Sequence, residues 1–244
     1  MLLSSFSARW PQLRDAALAA EALGAPRLWT LDHLSGAAVG AAHSLECFAV
    51  LGALAAATSR IGLGALVANV TNRPAPLLAA AAATLAETSG GRFTLGLGAG
   101  ARPGSRFARE REALGLPVPE PAAARALLAS VVADLRRLWG PDAPAGVLRP
   151  SPPPPLVIGV NSSSLAAAAA ALGLPAVAPA GHPRLEEIAA AALELWAYAP
   201  LEDAWLDPAS PERRRLDRVG VARLIVVIRA PHLVTDIERV ARPT

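Results

Sequence analysis

The stretch from Arg60 to Gly100, RIGLGALVANVTNRPAPLLAAAAATLAETSGGRFTLGLGAG, decides how the chain is to be read. It spells a strand, a polar loop, an alanine-rich helix, a Gly-Gly turn and a second strand, which together make one βαβ unit. Glycines alternate in both strands: Gly62 and Gly64 in the first, Gly96, Gly98 and Gly100 in the second. Side chains alternate across a strand, so each glycine set lies on one face. Glycine weakens a strand interior and marks a place where a ligand or another backbone comes close. Two neighbouring strands bare on one face predict a floor for something flat, or space cleared inside a barrel.

Outward from this unit the same alternation continues. Upstream, a helix is expected from Pro11 to about Leu23, with proline in its first turn and Gly24 at its end. A strand over Arg27 to His33 follows, then a helix capped by Ser44 and running to about Thr58. Downstream, residues 101–122 read as a polar, arginine-rich connection, followed by a helix from about Ala122 to Trp139. A proline-rich linker then feeds a strand at Leu156 to Val160. An alanine helix ending near Gly173, a strand at Ala176 to Pro179 and a helix from Arg184 to Tyr198 come next. The stretch 200–217 reads as irregular, before a strand at Arg223 to Arg229 and a short closing helix. Alternation without hairpin signals predicts parallel strands covered by helices. Six strands are clear, and Leu2 to Phe6 adds a seventh only as a remnant. A trimmed barrel and an open doubly wound sheet both fit that pattern.

Composition narrows the function. The chain has 244 residues, of which 53% are hydrophobic, close to the roughly 250 that an eight-stranded α/β barrel uses. It contains no lysine, and its formal net charge is only +3. No basic stripe with interleaved aromatics is present, so nucleic acid is not an expected partner. The lone Cys47 excludes a disulfide framework and a cysteine-rich zinc site. The four histidines, His33, His43, His182 and His232, are scattered, which argues against a metal site. The N-terminus has neither a basic n-region nor an adequate apolar h-region. The apolar run Leu165 to Gly181 is broken by Gly173, Pro175 and Pro179, short of the roughly 20 residues of a membrane span. The expectation is a cytoplasmic protein with one domain over residues 1–244, no membrane contact and a small-molecule substrate.

Chemistry has few candidates. Asp32 and His33 end a strand, where parallel barrels place their sites, and histidine moves protons near neutral pH. Neighbours on a strand face opposite ways, so only one of the two need point inward. Gly96, Gly98 and Ala101 fit G-x-G-x-x-A, but Pro103 and a polar stretch stand where a phosphate-binding helix should begin. Space cleared inside a barrel is the better reading. Asn69, Thr71, Asn72 and Arg73 are turn residues that could also bond the polar edge of a planar ring. Asn161 to Ser164 open a helix, where free amides and hydroxyls make an anion site, although plain capping needs only one of them. Arg102, Arg106 and Arg109 could hold an acidic tail or form a solvated face.

Three runs carry a resemblance: EALGAPRLWTLDHL (21–34), AAATSRIGLGALVANVTNRPAPLLAAAAATLAETSGGRFTLGLGAG (55–100) and PPPPLVIGVNSSSLAAAAAALG (152–173). In this order and spacing the sequence resembles the bacterial luciferase-like monooxygenase superfamily, closest to its coenzyme F420 branch. The resemblance implies a (β/α)8 TIM-type barrel, here shortened in the C-terminal third, where the strand before the last is hard to locate around 200–217. It implies F420, or alternatively FMN, lying across the strand ends. By motif position Asp32 and Asn69 would bond the ring's polar edge. His33 would donate or accept the proton, oriented by Asp32, and a non-prolyl cis peptide near Leu66–Val67 would bulge under the ring. Ala99, Gly100 and the segment Gly159, Val160, Asn161, Ser162 and Ser163 would hold the tail and its phosphate. The implied activity is hydride transfer between the deazaflavin and a small organic substrate, in a homodimer. The alternatives are an FMN-dependent two-component monooxygenase fed by a reductase, or a shortened, non-catalytic flavin-binding or partner paralogue. The sequence departs from the pattern after the glycine strand. Relatives often carry Glu there with Asn shortly after, and this chain has Ala101 and Gly104. The relatives' R-H-P is Arg73-Pro74-Ala75-Pro76.

Overall fold

In the computed structural model, which describes residues 1–241, eight strands alternate with helices. The strands are β1 (Leu2–Leu3), β2 (Arg27–Thr30), β3 (Gly62–Asn69), β4 (Phe93–Gly98), β5 (Leu156–Gly159), β6 (Ala176–Pro179), β7 (Leu195–Pro200) and β8 (Arg223–Ile228). The covering helices up to β5 are α1 (Trp10–Ala22), α2 (Cys47–Ala57), α3 (Ala75–Thr88), α4 (Ala108–Ala113) and α5 (Pro121–Trp139). After it come α6 (Ser163–Ala171), α7 (Leu185–Ala191), α8 (Asp203–Leu206), α9 (Pro211–Val219) and α10 (Val234–Ala241). Each strand pairs in parallel with the next, and β8 pairs back onto β1 through Leu2 and Val227. This is a closed (β/α)8 barrel, and the open doubly wound sheet is excluded.

Two of the eight strands are weak in the sequence. The first is only two residues long, within the Leu2 to Phe6 remnant. The other, β7, lies in the segment expected to be helix up to Tyr198; α7 stops at Ala191 instead. No glycine or proline separates the two elements, so nothing local marks the change. Residues 200–217 hold α8 and α9 rather than a strand. The connection 101–122 contains α4. Glu46, not Ser44, caps α2: its carboxylate accepts the Ala49 amide at 2.7 Å, while the Ser44 hydroxyl meets that of Ser5 at 3.1 Å.

Alternation along the strands builds two cores. Leu28, Leu63, Leu95, Leu97 and Ile158 face outward under the helices, where buried alanines such as Ala79, Ala82 and Ala83 let α3 approach closely. Leu2, Trp29, Val157, Val177, Trp196 and Ile225 fill the lumen. The Trp29 and Trp196 rings meet edge to face at 6.0 Å, with the Arg27 and Arg223 guanidiniums over them. The lumen is therefore a packed plug, and the barrel opens to a ligand above it.

Much of the motif that carries the resemblance is scaffold at the opposite, N-terminal end. Glu21 accepts the amides of Ser59, Arg60 and Ile61 at 3.0, 2.7 and 2.8 Å. Burial pushes its carboxyl up, but these amides and the Ser59 hydroxyl outweigh that and hold it at about 2. Arg92 ties down the end of α2 through the carbonyls of Ala55, Thr58 and Ile61. Among the described residues no helix is long and apolar enough to cross a membrane.

Candidate active site

The carboxyl ends of the strands open on a cleft of about 1470 Å³. Its floor explains the alternating glycines. The Leu66–Val67 peptide is cis, and the pairing of β3 with β4 slips between Ala65 and Ala68. Val67 lies against the glycines of the two following strands. A Cβ on Gly98 would come within 2.6 Å of Val67 Cγ2, and one on Gly159 within 3.0 Å. A Cβ on Gly96 would meet the Ala65 carbonyl oxygen at 2.4 Å, and one on Gly64 the Trp29 ring at 2.4 Å. The space these glycines clear is filled by the protein's own atoms, the Val67 and Trp29 side chains and the Ala65 carbonyl. The expected bare floor for a flat ligand is thereby corrected: a ligand meets Val67, half-exposed at the cleft base.

Asp32 and His33 follow β2, which ends at Thr30 rather than at the expected His33, and the extended chain keeps its alternation. Trp29 and Leu31 pack in the lumen, so His33, two residues on, keeps that side and lines the cleft. Asp32 turns towards the neighbouring loop. Its carboxylate accepts both terminal nitrogens of Arg73, at 2.8 and 2.9 Å, the Asn69 amide at 2.9 Å and the Asn72 side chain at 3.3 Å. Four donors saturate a carboxylate, and the Asp32 side chain is 0% exposed. Arg73 also reaches Glu46 and lies over the Phe48 ring at 4.5 Å. The two carboxylates outweigh the effect of burial and raise its already high pKa. Asn69 folds its carbonyl back onto Thr71, accepting the backbone amide at 3.0 Å and the hydroxyl at 2.7 Å. Its side-chain NH2 has no protein acceptor among the described residues.

The partner of His33 comes from α4. His33 Nδ1 lies 2.8 Å from Glu110 Oε2, and Oε1 of the same carboxylate accepts the backbone amides of Leu34 and, at 3.3 Å, Ser35. Burial pushes the Glu110 carboxyl up, yet the His33 contact and the two amides prevail and hold it below its ordinary value. Phe6 and Phe107 flank the imidazole, with ring centroids 4.8 and 5.3 Å away. Arg111, next in sequence to Glu110 and equally buried, bonds the Asn72 side chain, the Thr71 carbonyl at 3.2 Å and the Pro117 carbonyl at 2.9 Å. One turn of α4 thus clamps the loops after β2 and β3 together.

Of the residues expected at the site, Asp32, His33, Leu66, Val67 and Asn69 all line the cleft, as do Ala99, Gly100 and the run Gly159 to Ser162. Ser163 does not line it. Ser162 caps α6, its hydroxyl accepting the Leu165 amide at 3.3 Å and meeting the Ser164 hydroxyl at 3.2 Å. Sequence reading missed Glu110 and Arg111. The only signal was the helix-compatible run AREREA between Gly104 and Gly115, and nothing in it distinguishes a buried glutamate from a solvated one.

A sequence model of the luciferase-like monooxygenase family matches residues 3–203. The chain belongs to that family. Members are F420- or flavin-dependent oxidoreductases and monooxygenases, and Glu110 in this luciferase-like chain supplies a carboxylate beside His33 although Ala101 follows the glycine strand. No curated protein matches the sequence. Among solved structures, an F420-dependent secondary alcohol dehydrogenase in complex with an F420–acetone adduct is similar, with a TM-score of 0.73 and 16% identity, over 99% of this chain and 98% of that one. The coenzyme F420-dependent tetrahydromethanopterin reductase of Methanopyrus kandleri gives 0.71 and 16%, over 100% and 97%. An FMN-bound type II Baeyer–Villiger monooxygenase component from Pseudomonas putida gives 0.57 and 14%, over 85% and 69%. At these identities the likeness is one of fold.

Proposed function

We propose that this luciferase-like protein is an F420-dependent oxidoreductase that transfers a hydride between the deazaflavin and a small organic substrate. The observation that carries the reading is the His33–Glu110 pair at the edge of the cleft, beside the Val67 platform. Glu110 is held ionised and can only accept, so Nδ1 carries a proton, and in the neutral imidazole Nε2 is the nitrogen that keeps a lone pair for the cleft. Nε2 takes the proton from a substrate hydroxyl as it is oxidised and returns it in the reverse direction. Glu110 stabilises the imidazolium formed in between. Asp32 acts at one remove, fixing Asn69 through its backbone amide and the loop through Arg73.

The cleft fits such a cofactor. Val67 offers an apolar face, the Asn69 NH2 a donor for a ring carbonyl, and Gly100, at φ +91°, a backbone approach that a side chain would block at Asn69. The start of α6 at Asn161 and Ser162 suits a phosphate. When bound, the deazaflavin supplies the hydride carrier. A second reading, favoured by the likeness to the FMN-bound component, is an FMN-dependent monooxygenase, which adds a reductase as partner. The homodimer belongs to the same proposal, and light scattering after gel filtration checks it.

Titration with F420 and with FMN, followed by absorbance, tests the reading. Binding of F420 tighter than about millimolar, a free energy near −4 kcal/mol, is expected. Failure of both cofactors to bind overturns it. Oxygen uptake with reduced FMN would move the assignment to the monooxygenase.

A further inference from the structure

The cleft has more room than one cofactor ring uses. Its volume of about 1470 Å³ exceeds the roughly 300–1,000 Å³ of a single-ligand pocket. Its lining divides between two arcs of the barrel. The arc from β3 to β5 carries Val67, Asn69, Gly100 and Asn161, assigned above to the cofactor. The other arc runs from β7 through β8 and β1 to β2, continuous because the barrel closes between β8 and β1. It carries Tyr198, Arg229, Phe6 and His33, with Arg106 and Phe107 contributed by the segment after β4.

Two chemistries meet on that second arc. The first is aromatic, since Phe6 and Phe107 bracket the His33 ring. The second is cationic. Arg229 continues the parity of Ile225 and Val227, which pack in the lumen, and so reaches the cleft. Arg106 lies over the Phe107 ring at 4.6 Å. Its charge is felt by the neighbouring Tyr198: burial raises the phenol's pKa, and Arg106 pulls it part of the way back. Among the described residues, no carboxylate forms an ion pair with Arg106 or Arg229. The acids that line the cleft, Asp32 and Glu110, are buried and already bonded to Arg73 and His33. A chain with a formal charge of only +3 therefore presents uncompensated positive charge beside its proton-transfer residue. Low-dielectric walls focus such a field on an incoming anion.

We propose that the substrate is a flat, aromatic-type molecule bearing a carboxylate or similar anionic group, its body laid against Phe6 and Phe107 and its anion taken by Arg106 and Arg229. The assignment rests on the reading that the other arc holds the cofactor. The competing occupant of these arginines is the cofactor's own charged tail.

Benzoate and its neutral isostere benzamide separate the possibilities in a calorimetric titration of the full chain, alone and saturated with whichever cofactor binds. Benzoate should bind at roughly millimolar affinity and benzamide at least about tenfold more weakly, the scale of a charge-assisted contact. Arg229→Gln and Arg106→Gln should each cost benzoate a similar factor while leaving cofactor affinity within about twofold. Phe107→Ala should weaken both probes alike. Equal binding of the two probes, benzoate binding indifferent to both arginine variants, no benzoate binding, or displacement of benzoate by the cofactor would each overturn the proposal. If neither F420 nor FMN binds, the cofactor reading fails by its own titration, and the benzoate result on the cofactor-free chain still decides the anion site.

Discussion

Replacing Glu110 by glutamine tests the centre of the mechanism without removing its packing. In the wild-type chain Oε1 takes the Leu34 and Ser35 amides and Oε2 takes His33 Nδ1. The amide oxygen of glutamine can keep the two backbone donors, which leaves its NH2 opposite Nδ1. Two donors cannot face each other at 2.8 Å, so the imidazole must change tautomer and present a protonated Nε2 to the cleft. The stabilisation of the imidazolium by a buried carboxylate is lost as well. A hydrogen bond to a charged group contributes roughly 1.5–3 kcal/mol, and 1.36 kcal/mol is tenfold in rate. The proton-transfer step should slow by about 10- to 150-fold. Long-range 15N–1H NMR of the histidine-labelled protein reads the tautomer directly, and with four histidines in the chain the spectrum is tractable. The wild type should show Nδ1 protonated at His33 and the variant Nε2. The same tautomer in both, or turnover of Glu110→Gln at the wild-type rate, would refute the reasoning.

Three further outcomes are expected. Arg73→Met leaves the fully buried Asp32 carboxylate without its bidentate partner and should cost about 3–5 kcal/mol in chemical denaturation, whereas Arg73→Lys should recover part of that. Gly96→Ala drives a Cβ to 2.4 Å from a backbone oxygen and should lower stability by about 1–3 kcal/mol, measured by urea unfolding; at Gly98 only the tip of Val67 must turn, so the alanine variant should lose less. Glu21, depressed to about 2, contributes stability that is present above the unfolded value of about 4.3 and lost as the pH falls through that window. Stability measured from pH 6 to about pH 3 should therefore fall less steeply for Glu21→Gln than for the wild type.

How much of this was legible depends on the range of the interaction that decides each feature. The Arg60 to Gly100 unit is local: strand, helix and strand each carry their own pattern, and the register of β2, β3 and β4 follows. Asp32 and His33 were legible as a strand end, but their division of labour was not. It depends on Trp29 and Leu31 pointing into the lumen, which period-2 parity could have supplied, and on Arg73 arriving from the next loop, which it could not. The strand β7 escaped because Leu195–Pro200 follows an alanine-rich helix with no breaking residue. Its alternation of Trp196 and Tyr198 with Ala197 and Ala199 gains meaning only once β6 and β8 lie on either side.

The sequence by itself determined that parallel strands alternate with helices. It also placed the glycines of β3 and of β4 each on one face of its strand, and a histidine at the cleft end of β2. Those are consequences of chain-local periodicity and backbone sterics. Only the tertiary structure decided what Gly64, Gly98 and Gly159 make room for, which is Trp29 and Val67. It also decided which carboxylate serves His33. Glu110 lies 77 residues from its histidine on a helix of six residues, and no local pattern encodes a contact that exists only when the barrel closes and brings the loops after β2, β3 and β4 to one rim.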